Sequence, residues 1–208
     1  MGRISFFRLC LCTSDFIPLV LLAAHRKSIT GQMKQILQTD RLLLRELDSP
    51  DLAFLFSLLS DPDVMRFWPN PLTKEECNDW LQRQRVRYEE HGYGYWLAIN
   101  KAGGEPLGQA GLLQIEVDHR SETALGYIIG KAYWNRGYAT EAAAGCLEYA
   151  FETLEVSRVI APIRPGNTPS ERVAVKLGML PERTVAFAGF PHSIYVVTRE
   201  AFSNAKRA

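Results

Sequence analysis

The feature that most constrains this chain is the change of pattern at Gly137. Upstream, T-A-L-G-Y-I-I at residues 123–129 reads as a strand, and residues 132–136 mix aromatic and polar chemistry suited to a turn. Downstream, Ala139, Ala143, Cys146, Leu147, Ala150 and Phe151 recur at the spacing of an amphipathic helix. The first N–H groups of such a helix have no partner within it and point back into the loop, where they can hold a phosphate or another anion. Arg136 places a positive charge beside Gly137, and Ala139 keeps the first turn small. Glycine before a helix also serves simply to relieve a crowded turn. Neither G-x-x-x-x-G-K-S/T nor G-x-G-x-x-G occurs, so an anion bound here belongs to a ligand outside the common nucleotide-binding loops.

At 208 residues the chain can bury one sizeable core. Its composition, 47% hydrophobic and 23% charged, is globular, and repeats are absent. A formal net charge of +1 does not supply the concentrated basic surface that duplex nucleic acid requires, so no direct nucleic-acid partner is expected. Residues 1–34 hold Arg3, Arg8, Arg26, Lys27 and Lys34 against Asp15, which leaves the remainder slightly acidic and only weakly suited to a basic substrate. Cys10, Cys12, Cys77 and Cys146 lack the paired spacing of a disulfide framework. The C-x-C at 10–12 is too sparse for zinc, and Cys77 and Cys146 fall on helix faces as small core residues. No metal is expected, and a reducing cytoplasmic setting fits best.

The apolar run F-I-P-L-V-L-L-A-A at 16–24 is too short to span a bilayer, and no convincing cleavage motif follows it. Residues 1–34 are expected to form an extension of uncertain role, with no membrane partner, and residues 35–208 the working domain. There, L-L-L-R-E-L at 42–47 reads as a strand. Ser49 as cap and Pro50 in the first turn open a helix with a buried stripe of Leu52, Leu55, Phe56 and Leu59, ended by Asp61 and Pro62. V-M-R-F-W-P-N-P at 64–71 is an aromatic loop that either walls a substrate cleft with Phe67 and Trp68 or plugs the gap between two helices. A second helix begins near Lys74 behind a Thr73/Glu76 capping box, turns Cys77, Trp80, Leu81 and Tyr88 inward, and ends at Gly92 and Gly94.

Period two then marks strands at 93–99, 107–117 and 123–129, an antiparallel meander. After the helix at Gly137 come a strand at 156–163, a short helix at 169–177 capped by Thr168 and stopped by Gly178, and strands at 185–187 and 193–199. The expected fold is mixed α/β: one sheet, mostly antiparallel, with helices on both faces.

Four segments carry a family resemblance: T-D-R-L-L-L-R-E-L at 39–47, L-G-Y-I-I at 125–129, Y-W-N-R-G-Y-A-T-E-A at 133–142, and I-R-P-G-N-T-P-S-E-R-V-A-V-K-L-G-M at 163–179. In order and spacing they resemble the GNAT superfamily of N-acetyltransferases, specifically the RimJ/RimL-like branch that includes ribosomal-protein N-terminal acetyltransferases. The resemblance runs from about Leu37 to Phe202. It implies the acyl-CoA N-acyltransferase fold, in which the strand matching 125–129 splays from the parallel strand matching 157–163 and acetyl-coenzyme A enters the opening. By position, the backbone of Tyr127, Ile128 and Ile129 would pair with the pantetheine arm. The N–H groups of Arg136, Gly137, Tyr138, Ala139 and Thr140 would surround the pyrophosphate. Asn167 would bind the pantetheine or adenosine side, although an asparagine here serves equally as a turn or cap residue.

The chemistry that the resemblance implies is direct attack of a neutral amine on the thioester, with an N–H near Ile128 or Ile129 stabilising the oxyanion. Ser170 occupies the position where this branch carries a serine proposed to assist the leaving sulfur; a serine near a helix start also binds backbone. Two family residues are replaced. Ala174 stands where many relatives have a tyrosine acid, and Ala124 where many have a glutamate, with Glu122 two residues earlier on the same strand face. Trp134 replaces the Gln or Arg of the broader superfamily and suits this branch. Water relayed by Glu122 or His192 remains as a base, and His192 is equally suited to a surface or core place.

An α-amine, with a pKa of about 8, needs less help to deprotonate than a lysine at about 10.4. A protein or peptide N-terminus, a ribosomal protein among the possibilities, is therefore the expected acceptor. A small amine such as a polyamine, an amino acid or an antibiotic is the alternative, and a non-catalytic acetyl-coenzyme A sensor is a third reading. An open cleft at 64–78 suits a peptide, and an aromatic lid suits a small amine. Monomer and homodimer are both compatible with the sequence.

Overall fold

The computed structural model describes residues 34–205. The expectations for Cys10, Cys12 and the apolar run at 16–24 lie outside the described residues. Eight strands form one sheet: β1 (Gln35–Gln38), β2 (Leu42–Glu46), β3 (Tyr95–Asn100), β4 (Pro106–Val117), β5 (Arg120–Ile129), β6 (Arg158–Ile163), β7 (Leu180–Phe187) and β8 (Phe190–Thr198). Their order across the sheet is β1-β2-β3-β4-β5-β6-β8-β7. Every neighbouring pair is antiparallel except β5 and β6. Five helices accompany them: α1 (Leu52–Leu59), α2 (Lys74–His91), α3 (Tyr138–Glu152), α4 (Thr168–Lys176) and α5 (Arg199–Ala205).

The period of two along β3 explains why both faces are covered. Tyr95 and Leu97 join α1 and α2 in one core with Leu55, Leu59, Trp80 and Leu81. Trp96 and Ala98 point the other way, into a larger core with Ala143, Cys146, Leu147 and Ala150 of α3. Strand and helix periodicities thus agree about what is inside. The small side chains of α3 let it lie close to the sheet, and a Cβ on its Gly145 would come within 3.0 Å of Leu37 and Thr39.

Several boundaries differ from expectation. Asp48, not Ser49, caps the first helical turn; its carboxylate accepts from Ser49 N, and Asp51 closes a capping box over a 3-10 turn, Ser49–Asp51, before α1 begins at Leu52. That offset rotates the stripe: Leu58 is buried in place of Phe56, which is 38% exposed. Asn167, not Thr168, caps α4. β7 starts at Leu180 rather than 185, because Pro181 sits at a register irregularity against β8, a tolerated place for a residue that cannot donate to the ladder. Strand β1 and helix α5 were not anticipated; both are short and sit at the ends of the described chain.

The α2 expectations hold in detail. Thr73 Oγ1 accepts from Glu76 N and Glu76 Oε2 accepts from Thr73 N; Gly92 ends the helix at φ 79°. Among the described residues, no helix is long and apolar enough to cross a membrane.

Candidate active site

Strands β5 and β6 meet at a single register position, Ala124 opposite Ile160. Below it, Arg158 Nη2 ties to Glu122 Oε1 at 3.2 Å and holds the strands together. Above it they part, leaving the β6-facing edge of residues 125–129 open. Gly130 donates to Leu107 O at 2.8 Å across to β4, and alternate residues of an antiparallel ladder face opposite edges, so the N–H groups of Tyr127 and Ile129 face the opening. The carbonyl of Ile129 accepts from Trp134 Nε1 at 2.7 Å. Ile128, one residue out of phase, turns its side chain into the α1/α2 core.

Behind the fork, β3, β4 and β5 pack closely at two glycines. A Cβ on Gly126 would lie 2.1 Å from Tyr95 Oη, and one on Gly111 would lie 2.0 Å from Gly94 O. Tyr95 is buried, stacks on Trp80 at 5.5 Å, and has its phenol pushed up to about 12 by that burial. Trp80 Nε1 donates to the fully buried Gln109 Oε1 at 3.1 Å; Gln109 stands directly across β4 from Ile128.

Beyond β5, Asn135 at φ 59° and Gly137 at φ 83° turn the chain into α3. No side chain caps this helix, so its leading N–H groups face the loop uncovered. The loop is braced from β1 and β2. Glu141 accepts from Thr39 Oγ1 at 2.6 Å, Arg41 N at 2.7 Å and Arg41 Nε at 2.5 Å. Arg41 Nη1 also donates to Arg136 O at 3.0 Å, and its guanidinium lies 4.5 Å over the Tyr138 ring. Partial burial pushes the Glu141 carboxyl up, but the hydrogen bonds from Thr39 and Arg41 outweigh it and hold the group below its ordinary value. Thr39, Arg41 and Glu141 were quoted in matching segments without a role. Their signal was a threonine and an arginine bracketing Asp40, paired with a lone acid in the first turn of a helix.

Across the opening from β5, Asn167 Oδ1 accepts from Ser170 N at 3.4 Å, so its side chain is used as a cap. Tyr127 Oη donates to Ser170 O at 3.0 Å and joins β5 to the start of α4; burial pushes the Tyr127 phenol well up. Ser170 is therefore beside the fork, and among the described residues no hydrogen bond holds its Oγ. Glu122, by contrast, is 7% exposed and faces Arg158 below the fork.

The aromatic loop and the β7–β8 hairpin are joined at Arg164. Arg164, just past β6, lies 4.1 Å over the Phe190 ring and donates Nη1 to Phe67 O at 3.3 Å. Trp68 packs edge-on against Trp80 at 5.5 Å. Arg66 lies 4.9 Å over the Phe67 ring and 5.6 Å from the ring of Trp134. His192 touches the Phe187 ring at 5.5 Å, with Nδ1 3.0 Å from Phe190 O, so it belongs to the hairpin. The structure thus joins Phe67 to the hairpin that carries His192 through Arg164, which lies in the matching segment at 163–179 but has no role assigned from the sequence. Among the described residues, no group of three or more His, Cys, Asp or Glu side chains is placed to hold a metal.

A forked strand pair followed by an uncapped glycine-led helix fits a pantetheine arm and a pyrophosphate. The acetyltransferase (GNAT) domain description matches residues 41–180, which contain both. The chain is 36% identical over 163 residues to the YkkB protein of Bacillus subtilis, covering 78% of this chain and 95% of YkkB. It is 31% identical over 142 residues to the uncharacterized N-acetyltransferase YnaD of the same organism, covering 68% and 80%. More distant relatives are an FsC-acetyl coenzyme A-N(2)-transacetylase of Aspergillus fumigatus, 28% identical over 162 residues (73% of this chain, 67% of the relative), and the spermidine N(1)-acetyltransferase of Escherichia coli, 26% over 137 (65% and 70%). Among solved structures, a GNAT-family acetyltransferase from Bacillus anthracis superimposes with a TM-score of 0.68 at 26% identity, covering 78% of this chain and 98% of its own. Fork, loop and matched segment coincide, and the chain belongs to the GNAT family as an acetyl-coenzyme A-dependent acetyltransferase.

Proposed function

We propose that the chain transfers the acetyl group of acetyl-coenzyme A to a small-molecule amine. The observation that carries this reading is the aromatic loop held down at two points, Phe67 O accepting from Arg164 just past β6 and the Trp68 ring edge-on to Trp80 of α2. A lid of this kind leaves room for a compact amine and obstructs an extended peptide. The names of the Aspergillus fumigatus and Escherichia coli relatives, the second a spermidine acetyltransferase, support the same class. The RimJ/RimL-like expectation of a protein N-terminus has no comparable feature in its favour.

Acetyl-coenzyme A supplies the activated acyl thioester. The open edge of β5 at Tyr127 and Ile129 would hold the pantetheine, the leading N–H groups of α3 at Arg136 to Thr140 the pyrophosphate, and the Ile129 N–H the developing oxyanion. Ser170 would assist the departing sulfur, its backbone N–H held by the Asn167 side chain. Glu122 is a strut below the fork, and His192 belongs to the acceptor wall. Buried, unpaired Cys77 and Cys146 agree with a reducing, cytoplasmic setting.

The test is incubation of the purified protein with acetyl-coenzyme A and a mixed library of small amines and N-terminal peptides, with products identified by mass and fragmentation. Acetylated small amines with unmodified peptides are the expected result. Acetylation confined to peptide α-amines returns the assignment to N-terminal transfer, and cofactor binding without any product would make the protein a sensor.

A further inference from the structure

Arg164 is a half-buried cation with no ion-pair partner among the described residues. Arg41, Arg45, Arg158 and Arg183 each pair with a carboxylate. No carboxylate pairs with Arg164 or Arg66 among the described residues. Of the two acids that precede the loop, Asp61 accepts from the Asp63 and Val64 N–H groups, and Asp63 is bound by Lys131, whose hydrogen bond and charge, with a smaller contribution from the Arg66 charge, hold the Asp63 carboxyl below its ordinary value. A guanidinium has five N–H donors, and Arg164 spends one, on Phe67 O. Phe190 covers one of its faces at 4.1 Å, which fixes the plane of the fork and removes water from one side. Such an arginine is preorganised for a bidentate oxyanion.

Its place in the fold says whose oxyanion. Arg164 follows the end of β6, on one arm of the fork. From it, contacts run through Phe67 and Arg66 to Trp134, whose indole holds the Ile129 carbonyl on the other arm. The uncapped α3 terminus accounts for the pyrophosphate at the separate Arg136–Gly137 turn. Arg164 and Arg66 therefore stand along the line of contacts that joins the two arms, apart from the Arg136–Gly137 turn.

We propose that Arg164, with Arg66 beside it, receives a carboxylate or phosphate carried by the acceptor, so that the small amine acetylated here is an anionic one such as an amino acid or an amino phosphate. This rests on the small-amine reading and narrows it. A polyamine presents only like charge to these groups, whereas an amine with an oxyanion is drawn in by one end and offers the other to the thioester.

The test compares matched acceptors on the full chain: glycine, alanine and phenylalanine against their primary amides, and phosphoethanolamine against ethanolamine. Thiol release gives kcat/KM, and tryptophan fluorescence with coenzyme A present gives binding without turnover. The expected result is a preference of about 10- to 100-fold for one anionic series, carboxylate or phosphate, expressed mainly in KM. Arg164→Gln should bring that ratio close to one, and Arg164→Lys should retain part of it, with acetyl-coenzyme A affinity reporting that both variants are folded. Equal loss on charged and neutral acceptors in Arg164→Gln, or no preference in the parent, overturns the proposal and leaves the small-amine reading standing. Arg164-dependent binding of an anionic amine without turnover does the reverse. If both variants fail to bind acetyl-coenzyme A, Arg66→Gln decides by the same ratio: a fall of about threefold or more upholds the proposal, and an unchanged ratio overturns it.

Discussion

At the scale of single residues, Glu141 shows how little of the site's rigidity is local. Its carboxylate collects two side chains and a backbone N–H from a segment about a hundred positions away. Because its folded-state pKa is depressed below 4.5, the stability it contributes is present above that value and is lost as pH falls through the lower, folded value. Arg41 is 47% exposed and solvent-screened, so the contribution is about 1 kcal/mol. Thermal melts of Glu141→Gln against the parent should show a gap that is constant between neutral pH and about 5 and closes in more acidic buffer. A gap independent of pH would mean that the carboxylate charge is irrelevant to the brace.

Glu122 makes the opposite case. It is nearly buried, but its partner is Arg158, itself shared with Glu182 at 3.3 Å. Glu122→Gln should lower stability by about 1–2 kcal/mol and leave the pH dependence of kcat/KM in place. Loss of the acidic limb of that profile at unchanged melting temperature would instead make Glu122 the base.

At the scale of elements, the close packing of β3 and β4 and the turn into α3 each require a glycine, for different reasons. Gly111 is required by space: a methyl there would meet Gly94 O, a backbone atom that cannot rotate away. Gly111→Ala should cost about 3 kcal/mol, read from denaturant melts, whatever ligand is present. Gly137 is required by conformation, since at φ 83° only Arg41 Nη2, at 3.3 Å, lies near the added carbon. Gly137→Ala should cost about 1–2 kcal/mol. By tilting the leading N–H groups of α3 it should also raise KM for acetyl-coenzyme A about tenfold while kcat stays within a factor of three. A fall in kcat alone would place the loop in the chemical step.

The same elements show what was legible. α2 was readable to the residue because its capping box and αL glycine are contiguous signals. α1 was misplaced by its cap, because Asp48, Ser49 and Asp51 are all good capping residues and only the packing of Leu55, Leu58 and Leu59 chose among them. The start of β7 is hidden in the sequence because Pro181 and two charged residues, Glu182 and Arg183, open a strand exposed along most of its length.

At the scale of the whole molecule, binding of acetyl-coenzyme A should stabilise the folded chain by mass action. At a hundredfold excess over Kd the gain is about 2.7 kcal/mol, a rise of about 5–10 °C in melting temperature for a domain of this size. Gly137→Ala should show a smaller rise at the same concentration. An unchanged melting temperature for the parent would contradict the fit of fork and loop to the co-substrate.

What the sequence determined by itself is the strand-loop-helix unit at Gly137 and the two-sided sheet, because periodicity, capping and a glycine turn act between residues close in the chain, while the family is legible only as the resemblance of four matching segments. Tertiary structure alone decided the rest. It placed Glu122 below the fork, joined Thr39 and Arg41 to Glu141, and carried Arg164 to Phe67 and Phe190. Each of these depends on which strands are neighbours and where two of them part, and no spacing along the chain encodes the distance between side chains on separate strands.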